Sequence, residues 1–137
     1  MRAVFDTNVL LSGLFWRGAP YECLLAAEAD LFGMVLAEDI LDELRDKLIH
    51  KFGNSAEEAD DAIAGIRRVA SLVAIKGRSG WVTADPDDDK FVEAAIMGDV
   101  EFIVSGDKHL LGLKSVDGVE ILTPREFLNR LGTSDSA

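Results

Sequence analysis

Apolar residues in this chain come in short blocks, and polar residues close each block. Ala3-Val4-Phe5 ends at Asp6, and Phe102-Ile103-Val104 ends at Ser105-Gly106-Asp107. Short apolar runs bounded by polar residues are the pattern of strands buried on both faces. They place strands at residues 2 to 5 and Phe102 to Ser105. Leu31 to Leu36, Leu72 to Ile75 and Val119 to Leu122 read the same way. Between these blocks the period lengthens to that of a helix. Val9 to Leu14 opens one helix, and Arg17-Gly18-Ala19-Pro20 breaks it. Pro20 suits the first turn of the next helix, Tyr21 to Glu28. Ile40, Leu41, Leu44 and Leu48 make a single stripe along a helix from Ala37 to Lys51. Ser55 and Glu58 have the spacing of a capping box, which opens a helix to about Val69. Lys76 to Ala84 reads as a loop. Asp87 or Asp88 can cap a helix from Lys90 to Met97, which Gly98 ends. Thr123-Pro124-Arg125-Glu126 combines a capping box with proline at the first helical position and starts a helix over Phe127 to Leu131. Strands alternating with helices predict an α/β fold with a central, mainly parallel sheet and helices on both faces.

The chain has 137 residues, the size of one ordinary domain. Residues 1 to 131 are expected to form it, with 132 to 137 as a flexible tail. With 48% hydrophobic and 28% charged residues, the composition is that of a packed globular chain. No apolar stretch approaches the ~20 residues needed to span a bilayer. The apolar run at the N-terminus is too short for a signal peptide. Cys23, flanked by Leu and Ala, reads as a core residue, and a lone cysteine suits a reducing cytoplasm. The net charge of −11 opposes general affinity for nucleic acid, because the summed field repels phosphate.

The chemistry that remains is carboxylate chemistry. Asp6 and Asp107 each follow a predicted buried strand, which points them into the crevice at the sheet's carboxyl edge, where ligands of open α/β sheets bind. Thr7 and Asn8 follow Asp6 and are expected to orient it. Asp6 could equally cap the helix after it. Glu43 flanks the apolar stripe of its helix and could lean over the sheet edge, but spacing does not separate it from Glu38, Asp39, Asp42 or Asp46. The run Asp85-Pro86-Asp87-Asp88-Asp89 is denser than a cap requires, although such runs are commonly solvated. Carboxylates brought together repel, so they call for a cation. A site of oxygen donors suits a hard ion such as Mg²⁺. His50 and His109 lack the spacing of a zinc site and read as surface or interface residues. The phosphate-loop and nucleophile-elbow motifs are both absent.

Four segments, Val-Phe-Asp6-Thr-Asn-Val-Leu-Leu-Ser-Gly, Ile-Leu-Asp-Glu43-Leu, Asp85-Pro-Asp-Asp88-Asp-Lys-Phe and Ile-Val-Ser-Gly-Asp107-Lys-His-Leu-Leu, together resemble PIN-domain proteins. The similarity is to the prokaryotic branch of toxin components of toxin–antitoxin systems, of VapC type. It covers roughly residues 2 to 131, and Leu-Thr-Pro-Arg-Glu-Phe-Leu near the end fits that branch too. The resemblance implies a three-layer α/β/α fold and a Mg²⁺- or Mn²⁺-dependent endoribonuclease that hydrolyses RNA through metal-activated water. Its acidic residues carry over to Asp6, Glu43, Asp88 and Asp107, with Asp6, Asp88 and Asp107 as metal ligands and Glu43 as ligand or base. Asn8, Ser105, Asp85 and Asp89 are then supporting residues. Ser105 would orient Asp107 or a water. Asp89 stands where Asn is often found, which leaves Asp88 and Asp89 hard to tell apart. The resemblance further implies a homodimer and an antitoxin protein as partner. The chain's acidity leaves phosphate contact to Arg17, Arg45, Lys90 and Lys108. A structure-specific DNA nuclease and a non-catalytic domain binding a basic partner are the alternatives. A phosphotransfer role for Asp6 is disfavoured, because Asn8 stands where such enzymes need a second Asp.

Overall fold

The computed structural model of the chain describes residues 1–77 and 86–136, with side chains through residue 132. Arg2–Phe5 (β1) leads directly into Thr7–Phe15 (α1), and Ala19–Glu28 (α2) follows. Gly33–Leu36 (β2), Glu38–His50 (α3), Ala56–Val69 (α4) and Ala70–Leu72 (β3) come next. Past a 3₁₀ turn at Pro86–Asp88 lie Asp89–Met97 (α5) and Phe102–Val104 (β4). Lys108–Leu113 (α6), Ser115–Val116 (β5), Val119–Leu122 (β6) and Pro124–Ser136 (α7) complete the order.

The sheet runs β3-β2-β1-β4-β6-β5. Every pairing is parallel except β5 with β6. Ala3, Val4 and Phe5 are all fully buried. Successive strand residues point to opposite faces, so both faces of β1 are covered by helices. On one face Phe5 stacks on Phe32 at 5.5 Å, and Phe127 of α7 meets Phe32 edge-on at 4.8 Å. Helix α5 packs against β1, β2 and β4. Cys23 is buried in this core beside the Pro124 carbonyl, and burial pushes its thiol up to about 12. That value leaves it protonated and unreactive, as a packing residue. Among the described residues no helix is long and apolar enough to cross a membrane.

The third strand moves, and one helix and one hairpin join the expected elements. The third strand occupies Ala70–Leu72 rather than Leu72 to Ile75. Helix α4 passes into it without a loop, and Val73 still donates to the Leu36 carbonyl at 2.9 Å. The strand thus begins two residues before the apolar run that predicts it. The loop expected from Lys76 to Ala84 lies mostly outside the described residues. Helix α6 and the β5–β6 hairpin carried a signal that the apolar blocks hide. Asp117 and Gly118 both have positive φ (48° and 81°), and Asp-Gly is the usual dipeptide for a two-residue hairpin turn.

Candidate active site

Strand β1 connects onward to β2 on one side, while β4 lies on its other side. The carboxyl edge between β1 and β4 is therefore the switch point of the sheet, where a crevice must open. Asp6 stands just past β1, and its backbone N–H donates to the Val104 carbonyl of β4 at 3.1 Å. Only 3% of Asp6 is exposed. One carboxylate oxygen accepts from the Val9 N–H at 2.8 Å, capping α1. The other accepts from the Ser105 hydroxyl. Capping and crevice placement are thus the same arrangement. Burial raises the Asp6 pKa above the ordinary carboxylate value, the bonds from Ser105 and Val9 oppose the rise, and the Asp107 charge adds to it.

Ser105 is the organiser that the sequence reading placed in a supporting role. Fully buried, it donates to Asp6 and accepts from the Asp107 N–H at 2.9 Å. One hydroxyl thereby locks the first and last acidic positions together across two strands. Asp107 caps α6, accepting from the His109 and Leu110 N–H groups at 2.8 and 3.1 Å through the same oxygen.

Thr7 and Asn8 do not orient Asp6. The buried Thr7 donates to Glu43 of α3, and the exposed Asn8 accepts from Lys47 at 3.1 Å. At Thr7 the reason is geometric: once Asp6 turns back to cap α1, the residue one helical step on faces α3. Through Thr7, Glu43 is drawn over the sheet edge, as its place beside the apolar stripe allowed. Lys90 of α5 sits 3.2 Å from one Glu43 oxygen and Lys47 3.9 Å from the other.

Asp88 does not cap α5 by its side chain. It lies in the 3₁₀ turn with helical φ and ψ of −83° and −9°, whereas a cap needs extended backbone to turn its carboxylate onto the helix N–H groups. Its side chain lines the acidic cleft instead. Asp89, one position on, is buried in the first turn of α5 and does not line the cleft. Of these two residues, Asp88 is the one at the cleft. Asp85 lies outside the described residues. Buried Glu93, one turn beyond Asp89, accepts from the Lys76 N–H. It escaped the sequence reading because it lies among the apolar positions of its own helix.

The result is one small cavity of about 30 Å³ lined by Asp6, Thr7, Asn8, Glu43, Lys47, Asp88, Phe91 and Asp107. Among the described residues no three acidic, histidine or cysteine side chains close on a single point tightly enough to cage a metal ion. The four carboxylates ring the cavity instead. Mg²⁺ needs only one or two carboxylates as direct ligands, the rest of its shell being water, so the oxygen donors around this cleft suit a hard cation. Of the cations expected to meet phosphate, Lys90 reaches this cleft. Arg45 is committed to Asp60 at 2.7 Å and Arg17 lies over the Tyr21 ring. Lys47 was missed, although it stands one turn after Glu43 and so shares its helix face.

An α/β sheet with an acidic cleft, lined by four carboxylates and by no histidine or cysteine, at its switch point is the class that fold and site define. The chain belongs to the PIN-domain family, whose profile matches residues 2–109. PIN domains are in general nucleases, which sets the class of activity as hydrolysis of phosphodiester bonds. Among solved structures, one similar chain is in the crystal structure of VapBC2 from Rickettsia felis bound to a DNA fragment from their promoter. It aligns with a TM-score of 0.61 and 12% identity over 88% of this chain and 97% of that one. At that identity the likeness is one of fold. No curated protein matches the chain.

Proposed function

We propose that the protein is a Mg²⁺- or Mn²⁺-dependent endoribonuclease and the toxin of a toxin–antitoxin pair. The observation that carries the catalytic part is the convergence of Asp6, Glu43, Asp88 and Asp107, from four separate elements, on one 30 Å³ cavity. Asp6, Asp88 and Asp107 are the proposed ligands, one or two of them binding the cation directly and the rest through its waters. When bound there, a divalent ion supplies Lewis-acid charge to the phosphoryl oxygens and lowers the pKa of water. The chain's own residues do the positioning. Ser105 fixes the Asp6 rotamer, Thr7 fixes Glu43, and the α6 cap fixes one Asp107 oxygen. Glu43 is the acid–base group: it is partly exposed, and Lys90 and Lys47 hold cationic charge beside it. Those two lysines also offset the acidity of the cleft toward a phosphate chain, which the net charge of −11 would otherwise repel.

The toxin role is supported by the resemblance of the four acidic segments to VapC-type proteins. A fold neighbour from a complex named VapBC2 is in keeping with it. An antitoxin protein and a second copy of the chain are the proposed partners, and the cytoplasm the proposed compartment, in keeping with the free Cys23.

The test is cleavage of single-stranded RNA with Mg²⁺ or Mn²⁺, set beside a flapped DNA. Wild type is expected to cut the RNA, and Asp6→Asn to lose about 100-fold or more in rate while remaining folded. Wild-type rates in Asp6→Asn would remove Asp6 from the mechanism. Preference for the flapped DNA would make the protein a structure-specific DNA nuclease.

A further inference from the structure

A second, larger cavity opens beside the acidic cleft. Its volume is about 450 Å³, and its walls include Asn8, Val9, Ser12, Pro20, Lys108 and Pro124. Asn8 and Asp107 line both cavities, so the two are contiguous. The larger one lies at the carboxyl edge of the sheet, beyond the ends of β1, β4 and β6. A space of this size falls in the range of small-ligand sites, whereas the acidic cleft beside it has room for about an ion and its water. The walls divide by chemistry. Pro20 and Pro124, backed by the buried Val9, offer apolar surface that a planar base can lie against. Asn8 and Ser12 stand one helical turn apart on the same face of α1 and bring an amide and a hydroxyl, which can pair with a base edge or a ribose hydroxyl. Lys108 is exposed at the rim and enters no ion pair among the described residues. The backbone beside it is open: a side chain built on Gly106 would meet nothing within 4 Å.

We propose that this cavity is the nucleotide subsite of the enzyme. It takes the base and sugar of the unpaired nucleotide next to the scissile phosphate of a single-stranded RNA, and Lys108 meets the flanking phosphate. The reading rests on the ribonuclease function proposed above and deepens it by naming where sequence preference is set. Asn8 and Asp107 are the hinge between recognition and chemistry, because each faces both spaces. A base drawn into the larger cavity lays the adjoining phosphate over the smaller one.

The test uses Ser12→Leu, which fills the cavity and removes its hydroxyl, and Lys108→Glu, an exposed change that cannot disturb the core. Substrate is a mixed-sequence single-stranded RNA with Mg²⁺, read by sequencing the cut ends, with melting curves for all proteins. Wild type is expected to prefer particular bases at one position beside the cut. Ser12→Leu should erase or change that preference and raise KM about fivefold to tenfold, with a smaller effect on kcat. Lys108→Glu should raise KM with the base preference kept. Unchanged KM and preference in both folded variants would overturn the subsite. Equilibrium binding of AMP, CMP, GMP and UMP to Asp6→Asn protein separates this from failure of the enzymatic reading. Binding that Ser12→Leu abolishes supports the subsite even if no RNA is cut. Absence of binding of all four monophosphates, together with unaltered cleavage, rejects it.

Discussion

Asp6 carries two hydrogen bonds, and they make its ionisation testable. Burial raises its pKa and the Ser105 hydroxyl opposes that rise. Removing the hydroxyl in Ser105→Ala therefore pushes the Asp6 pKa further up. If ionised Asp6 is needed for cleavage, the acid limb of the pH–rate profile should move to higher pH in this variant. Ser105→Ala also leaves a buried carboxylate oxygen without its donor, which costs about 1–3 kcal/mol of stability. A loss of stability with an unmoved acid limb would make Ser105 purely structural. The sign for folding is opposite to that of a salt-bridged acid. A carboxyl whose folded pKa is raised adds stability at low pH, and loses it as pH rises from the ordinary carboxylate value through the raised one. Asp6→Asn keeps the capping oxygen and removes the charge. It should melt at or above the wild-type temperature at neutral pH, and the gap should close in acid. A variant much less stable than wild type at neutral pH would mean that the charge of Asp6 stabilises the fold instead.

The elements differ in how plainly their residues announce them. The capping box at Ser55 and Glu58 closes as its spacing predicts, with bonds of 2.8 and 3.0 Å. Thr123 and Glu126 repeat it at the start of α7 with bonds of 2.9 and 3.2 Å. Both are contacts within four residues, so sequence alone suffices. Helix α5 shows the contrary case. Its place over the sheet depends on Gly98, where an added Cβ would lie 2.7 Å from Val35 of β2 and 3.0 Å from the Ala94 carbonyl. Gly98→Ala should therefore destabilise the protein by about 1–3 kcal/mol. It should also lower activity, because α5 carries Lys90 to the cleft and continues directly from the turn that holds Asp88. Denaturant melts and cleavage rates check both. Wild-type stability would show that the α5–β2 contact yields without strain.

At the scale of the whole molecule, the acidic cleft is a balance of charge. Four carboxylates meet two lysines in a chain of net charge −11. A cation that binds only the folded state stabilises it by mass action, about 2.7 kcal/mol at a hundredfold excess over its Kd. Mg²⁺ or Mn²⁺ should raise the melting temperature of wild type, and raise it less in Asp107→Asn. An equal rise in both would place the binding elsewhere on the acidic surface. The sequence determined most of the elements, their alternation and the positions of Asp6 and Asp107 just past buried strands, because those follow from local periodicity and from where a buried run stops. It also marked Glu43 as a helix residue flanking the core, but left it level with four other acids. The family resemblance singled it out by its segment, and the tertiary structure brings it, and not the other four, to the cleft. Thr7 reaches across to Glu43, the 3₁₀ turn aims Asp88 into the cleft while the next step of the helix buries Asp89, and Ser105 ties two strands through one oxygen. These contacts join residues 36 and 99 positions apart, and they depend on how strands and helices dock, which no local pattern encodes.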